Sequence, residues 1–227
     1  MSGFVHLHLH SEYSLLDGAC RINDILKKAK ELGQASVAIT DHGVMYGCVD
    51  FYNAAKEAGI KPIIGCEVYV APRTMYDKEH RFDSDNNHLV LLVKNKKGYE
   101  NLLKIVSKAF VEGFYIKPRT DMNELRAHSE GLIALSACLA GAVPQRILAD
   151  DIDGARKLAA EYKEIFGEDY YLELQNHGIN EQLAVNRELE KISRELDIPL
   201  VATNDVHYIN KEDAYMQNVL MCVCFYP

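Results

Sequence analysis

Seven short aliphatic and β-branched runs, separated mostly by stretches of helical spacing, constrain the fold of this 227-residue chain more than any other feature. The runs are Phe4–His8, Ser36–Thr40, Pro62–Val70, His88–Val93, Leu132–Ser136, Tyr170–Leu174 and Leu200–Thr203. Each has the length and composition of a strand. After the first run, Ile22, Ile25, Leu26, Ala29 and Leu32 recur at helical spacing, and Gly33 follows as a stop. Further helices are predicted over Cys48–Ala58, Gly98–Val111, Gly154–Phe166 and Asn180–Leu196, the last closed by Asp197-Ile198-Pro199. Strands alternating with helices predict a parallel α/β architecture, either an open doubly wound sheet or a barrel. No Gly-Ser or Pro-rich linker divides the chain, so one domain over residues 1–227 is expected. Ala71–Asn87, polar and irregular, reads as an inserted loop.

Composition narrows the functional classes. Hydrophobic residues make up 48% and charged residues 26%, which argues for a packed core and against disorder. Lys and Arg total 25 against 33 Asp and Glu, a net charge of -8, so the basic footprint of a stand-alone nucleic-acid binder is absent. A polyanionic substrate stays compatible with that charge if metal ions are bound. The six cysteines form no CxxC pair, and the N-terminus lacks the pattern of a signal peptide. Reduced thiols in a soluble, cytoplasmic protein without membrane contact are therefore expected. The longest nearly apolar run, Leu132–Val143, is too short for a bilayer span.

Residues of metal-binding type recur where the strands end. His6-Leu7-His8-Leu9-His10 places three imidazoles on one side of an extended segment, although surface histidines on a polar edge strand would read the same way. Thr40-Asp41-His42 pairs an imidazole with a carboxylate that can orient it, or with a helix cap. Glu67 sits inside the apolar run Gly65–Val70, where a charge needs a partner or a metal. Asp205-Val206-His207 follows the last run, His88 opens the fourth, and Cys138 follows the fifth. In parallel α/β folds the C-terminal strand ends build the site. His88, at the start of its run, fits that rule least well.

The motifs HLHLHSEYSLLDG, AITDHG, GCEVYV, GFYIKPRTD, ALSACLAG and VATNDVHY, in this order, resemble the PHP (polymerase and histidinol phosphatase) domain of bacterial DNA polymerase III alpha subunits. The resemblance runs from about Phe4 to Leu220. It implies a distorted (β/α)7 barrel with a metal centre at the C-terminal ends of the strands. It also implies a ligand set of His8, His10, Asp17, His42, Glu67, His88, Cys138, Asp205 and His207, with Asp41 behind the ligands as an orienting group. His6 and His177 fall outside the family pattern, His80 and His128 lie in polar stretches, and Cys20, Cys48 and Cys66 read as small packing residues.

Mixed N, O and S donors suit two to three divalent ions of Zn2+, Mn2+ or Fe2+ better than Mg2+ or Ca2+. The resemblance then implies phosphoester hydrolysis by a metal-bound hydroxide, with 3′→5′ exonuclease proofreading at the 3′ end of a DNA strand. Two other readings compete: a metal-stabilised structural scaffold for the rest of the polymerase alpha subunit, and a small-molecule phosphatase of the histidinol-phosphatase type. In Lys117-Pro118-Arg119, the Arg119 guanidinium is a candidate grip on substrate phosphate, or a loop arginine paired with Asp121. No palm carboxylate motif is present, so a polymerase active site is not expected in these 227 residues.

Overall fold

The computed structural model describes residues 3–225, with side chains through residue 223. The ends of the expected 1–227 domain and the thiol of Cys224 lie outside the described residues. Strands β1 (Ser36–Ile39), β2 (Lys61–Val70), β3 (Asn87–Val93), β4 (Arg119–Thr120), β5 (Leu132–Leu135), β6 (Tyr170–Leu174) and β7 (Leu200–Ala202) form one sheet. The helices are α1 (Ile22–Glu31), α2 (Cys48–Ala58), α3 (His80–Asp83), α4 (Lys96–Val111), α5 (Met122–Ala127), α6 (Ala142–Leu148), α7 (Ile152–Phe166), α8 (Asn180–Leu196) and α9 (Ala214–Phe225).

Helices α1, α2, α4, α7 and α8 each lay an apolar stripe on the sheet. Helix α1 buries Ile22, Ile25, Leu26 and Ala29, and α8 buries Val185, Leu189 and Ile192, the i, i+3, i+4, i+7 spacing of a single face. Asn95, Asp121 and Asp151 cap α4, α5 and α7 by accepting from the backbone amides of Gly98, Glu124 and Gly154. At Gly98 a Cβ would lie 1.8 Å from the Gly131 carbonyl oxygen, so only glycine lets α4 meet the turn before β5 backbone to backbone.

The strand order is β1-β2-β3-β5-β6-β7, with β4 pairing the distal end of β2. Neighbours are parallel except at β3, which runs antiparallel to both β2 and β5. Closure comes from the extended segment of residues 6–10. The Ala38 amide donates to His6 and the Thr40 amide to Leu9, each at 2.8 Å, on the β1 side. On the other side the His10 amide donates to Val206 at 2.8 Å, and the Val206 amide to His8 at 3.1 Å. The sheet thereby curls into a distorted barrel with this segment as its seventh long stave.

Two expectations are corrected here. Phe4–His8 is not a regular strand: the segment shares its few backbone bonds between two neighbours, too few on either side for a continuous ladder. The sheet is also not uniformly parallel. No crossover helix separates β2 from β3, only a loop holding the four-residue α3, and without a crossover the chain must return in the opposite sense. That reversal puts the first residues of β3 at the rim where the parallel strands end, and so resolves the position of His88. The loop itself is well tied down, since Arg73 grips Asp83 with two bonds of 2.9 and 2.6 Å.

Candidate metal centre

His8 and His10 project from the closing segment, His42 follows β1, Glu67 lies within β2, and His88 is the second residue of β3. Asp17 comes from the turn after the closing segment, Cys138 from the loop after β5, and Asp205 and His207 from the loop after β7. All nine converge at one end of the barrel. Glu67 is the hub: Oε1 lies 3.2 Å from His8 Nε2 and 3.0 Å from His88 Nδ1. Its Oε2 lies 2.6 Å from His42 Nδ1 and 3.7 Å from His10 Nε2. Asp205 Oδ1 sits 3.2 Å from both His8 Nε2 and His10 Nε2. Asp17 Oδ2 is 3.1 Å from His42 Nε2 and 3.9 Å from His207 Nε2, and Cys138 Sγ is 3.8 Å from His88 Nδ1.

Apart from the bond between Cys138 and His88, these contacts are close without hydrogen-bond geometry. His8 Nε2, His10 Nε2, His42 Nδ1, both Glu67 oxygens and Asp205 Oδ1 are buried with no hydrogen-bond partner. Orphaned polar atoms in such number are costly unless something else satisfies them. Donor atoms about 2.1 Å from a shared tetrahedral ion would stand about 3.4 Å apart, close to the separations seen. Three overlapping groups among the described residues bring one ligand atom from each member within 4.8 Å of the others: His8-His10-Glu67, His10-His42-His207 and His42-Glu67-His88. The donor set fits divalent ions of borderline softness.

The far nitrogens of the rings are held from behind. His8 Nδ1 is 2.7 Å from Glu173, which also accepts from Gln175 at 2.9 Å and from the Thr203 hydroxyl. Ser14 Oγ donates to Asp41 at 2.8 Å and so accepts from His10 Nδ1 at 3.1 Å. His207 Nδ1 donates to the Asp205 carbonyl at 3.0 Å. Each of these bonds fixes an Nδ1–H tautomer and aims the Nε2 lone pair inward. Asp41 is wholly engaged with Ser11 and Ser14 and touches none of the imidazole nitrogens directly, consistent with an orienting role. Ala137, next to Cys138, holds φ of 64°, and Asp205 holds 45°. Strained backbone beside site residues is where such cost is tolerated.

Electrostatics divides the cluster into two charge types. Burial opposes charge on His8, yet Asp205, Glu173 and Glu67 raise its pKa well above the usual imidazole value. Against the same burial penalty, Glu67 and Asp17 lift His42 to about 10. His10 goes the other way: burial and the neighbouring His42 lower it to about 3. Burial would raise Glu67, but His88, His42 and His8 hold it well below the usual carboxylate range, and His8 and His10 do the same for Asp205. Burial and Glu67 push the Cys138 thiol up. Protons here balance carboxylate charge that a divalent cation would otherwise balance.

Sequence reasoning missed Glu173. Its signal was the one used for Glu67, a carboxylate inside an apolar strand, Tyr170–Leu174. Arg119 is corrected: it does not face the site. It is fully buried, and its guanidinium donates to the backbone carbonyls of Gly113, Asp83, Met75 and Asp77 at 2.8–3.2 Å while lying over Tyr115. Nor does it pair with Asp121, which accepts instead from the Met75 and Glu124 amides. Arg119→Ala is expected to strand these carbonyls and cost about 3 kcal/mol. In a domain this size that lowers Tm by about 6–12 °C, with metal content unchanged. An unchanged Tm alongside a raised KM for phosphoesters would restore the phosphate role.

The remaining candidates lie outside the cluster. His6 stacks edge-on against Phe4, and His177 bonds to the Asn204 carbonyl and Gln182. His128 pairs with Glu124 at 2.9 Å. Cys20, Cys48 and Cys66 are buried free thiols. No helix among the described residues is long and apolar enough to cross a membrane.

A family model described as "PHP domain" matches residues 6–177, three-quarters of the chain and all but two of the nine clustered residues. The chain belongs to the PHP domain family. Among curated proteins, similarity extends across almost the whole chain. The DNA polymerase III subunit alpha of Borreliella burgdorferi is 50% identical over 98% of the chain and 19% of that protein. The subunit of the same name from Thermus aquaticus is 46% identical over 97% of the chain and 18% of that protein. The chain thus spans about a fifth of the length of the curated relatives it matches. Among solved structures, a protein assigned as a metal-dependent phosphoesterase from Bifidobacterium adolescentis superposes with a TM-score of 0.56 at 16% identity. That match covers 91% of this chain and 88% of the other. An amidohydrolase from Chromobacterium violaceum gives 0.54 at 14% identity, over 95% and 96%. At these identities the likeness bears on the fold, a PHP-type barrel.

Proposed function

We propose that the chain is the metal-dependent phosphoesterase part of a bacterial DNA polymerase III alpha subunit, acting as a 3′→5′ exonuclease on DNA 3′ ends. The observation that carries this reading is the nine-residue donor cluster centred on Glu67, whose buried inward-facing atoms lack hydrogen-bond partners. A closed structural site needs only four ligands, so a set this large favours an open site holding two to three Zn2+, Mn2+ or Fe2+ ions. In this reading His8, His10, Asp17, His42, Glu67, His88, Cys138, Asp205 and His207 hold the ions. When bound, such ions activate water and polarise phosphoryl oxygens.

The chain's own groups do the positioning. Glu173 and Ser14 fix the tautomers of His8 and His10, and Asp41 fixes Ser14. Asp17 is only partly buried, at the solvent side of His42, and its carboxylate holds that imidazole from the open face of the cluster. The 50% identity to a polymerase alpha subunit supports DNA as substrate and the rest of that subunit as partner.

The scaffold reading draws on the same cluster, because Glu67 ties β2 to the closing segment, to β3 and to the loop after β1. The test is digestion of a 3′-labelled single strand with added Mn2+ or Zn2+, beside His10→Ala purified in parallel. Hydrolysis at least about a hundredfold faster than the variant is expected. Equal rates would leave the scaffold reading, and a strong preference for histidinol phosphate would favour the phosphatase reading.

A further inference from the structure

Beside the donor cluster opens a cleft of about 590 Å³ whose floor includes Asp17, His42 and His88. Its outer wall is apolar and wet at once: Leu15, Tyr46, Phe114 and Ile116 line it while remaining between 49% and 69% exposed. Side chains of this kind, grouped at the mouth of a polar site, form a surface awaiting an apolar partner. The rings of Tyr46, Phe110 and Phe114 follow one another at 6.5 and 6.3 Å.

The lining holds one ammonium. Lys117 Nζ lies 5.4 Å from the centre of the Tyr69 ring, and it has no carboxylate partner among the described residues. Tyr69 in turn packs against His88 and His42, so the cation stands one ring away from the donor cluster. Its placement depends on strain. Ile116 holds φ of 63°, a left-handed conformation that a β-branched residue rarely adopts, in a tight turn where the Tyr115 amide donates to the Lys117 carbonyl at 3.0 Å. Strain at a residue that presents neighbours to a cleft points to function. A site with acid and imidazole at its floor, one ammonium at its side and aromatic faces at its rim matches the parts of a nucleotide.

We infer that this cleft seats the terminal nucleotides of a single-stranded DNA end, with Lys117 on a backbone phosphate and the Tyr46–Phe114–Ile116 wall under an unstacked base. The inference rests on the phosphoesterase reading above and specifies its substrate subsite. Base stacking on aromatic side chains is sequence-tolerant, which suits an enzyme that must accept any terminal base. The chain's net charge of -8 keeps non-specific attraction small, so loss of a single phosphate contact is legible.

The test measures binding of a fluorescein-labelled oligothymidylate of about eight nucleotides, with phosphorothioate linkages, to the Mn2+-loaded chain across a salt series. Lys117→Ala is expected to weaken binding about fivefold and to lower the slope of log K against log salt by about 0.7, one phosphate contact on a single strand. Lys117→Arg should restore the slope, which a merely structural lysine would not require. Phe114→Ala should weaken binding about tenfold with the slope unchanged, as expected for loss of stacking. Unchanged affinity and slope in both alanine variants would overturn the inference and leave the apolar wall as a contact for the rest of a longer chain. Absence of saturable binding by the unmodified chain would also overturn it. Mn2+-dependent hydrolysis of bis(4-nitrophenyl) phosphate by the unmodified chain is run alongside. Its presence keeps the phosphoesterase reading whatever the oligonucleotide shows, and its absence counts against that reading alone.

Discussion

Glu67→Gln is expected to reduce bound metal to one ion or none per chain and to lower phosphoesterase activity at least about a hundredfold, the loss typical even of groups that only support ligands. The expectation follows from the hub position: each carboxylate oxygen faces two imidazoles, and neither has another partner. Glutamine keeps the shape and removes the charge. In the metal-free protein, His8, His42 and His88 would then face a neutral amide, and breaking a buried ion pair from one side costs about 3–5 kcal/mol. With about 2–4 °C per kcal/mol for a domain of this size, Tm should fall by about 6–20 °C. Elemental analysis and thermal melts of both proteins, with and without chelator, check the two effects separately. Full metal content in Glu67→Gln would mean that Glu67 pairs charge with the imidazoles and is not itself a ligand to the ions.

Much of the barrel was legible because its elements are locally consistent. Cys48–Ala58 and Asn180–Leu196 form helices over the predicted ranges, since periodicity, breakers and burial agree there. The closing segment was harder: its alternation of histidine and leucine reads as a strand, but pairing depends on neighbours that sequence does not show. The direction of β3 could have been read from the missing crossover helix. The short elements β4, α3, α5 and α6 have too few residues to carry a period. At the site, the nine residues brought together by the fold carry motif-level signals, spaced by the strand ends that present them. Arg119 misled because charge in a loop suggests solvent. Here the loop folds over it, and four carbonyls spanning Met75 to Gly113 take its donors.

Metal removal should matter little near pH 6 and greatly at pH 8. In the metal-free chain His8 and His42 have folded pKa values raised above the unfolded value of about 6.5. Their contribution to stability is therefore fully present below about 6.5 and is lost as pH rises toward the folded value, about 10 for His42. His10, lowered to about 3, has the opposite sign: its contribution is present above about 6.5 and is lost as pH falls. The depressed carboxylates of Glu67 and Asp205 add to that loss below about pH 4. The metal-free profile should therefore peak near pH 6.5. Between pH 6.5 and 8 His42 gives up about 2 kcal/mol, equivalent to about 4–8 °C in Tm, and His8 shifts in the same direction. Ions bind the neutral imidazoles, so their affinity rises over the same interval. At a free concentration about a thousandfold above Kd, one ion restores about 4 kcal/mol. The gap in Tm between Zn2+-loaded and chelator-treated protein should consequently open by about 5 °C or more from pH 6 to pH 8. A constant gap, or a metal-free Tm that rises through this interval, would show that the imidazoles facing Glu67 and Asp205 do not share protons with them in the way the geometry requires.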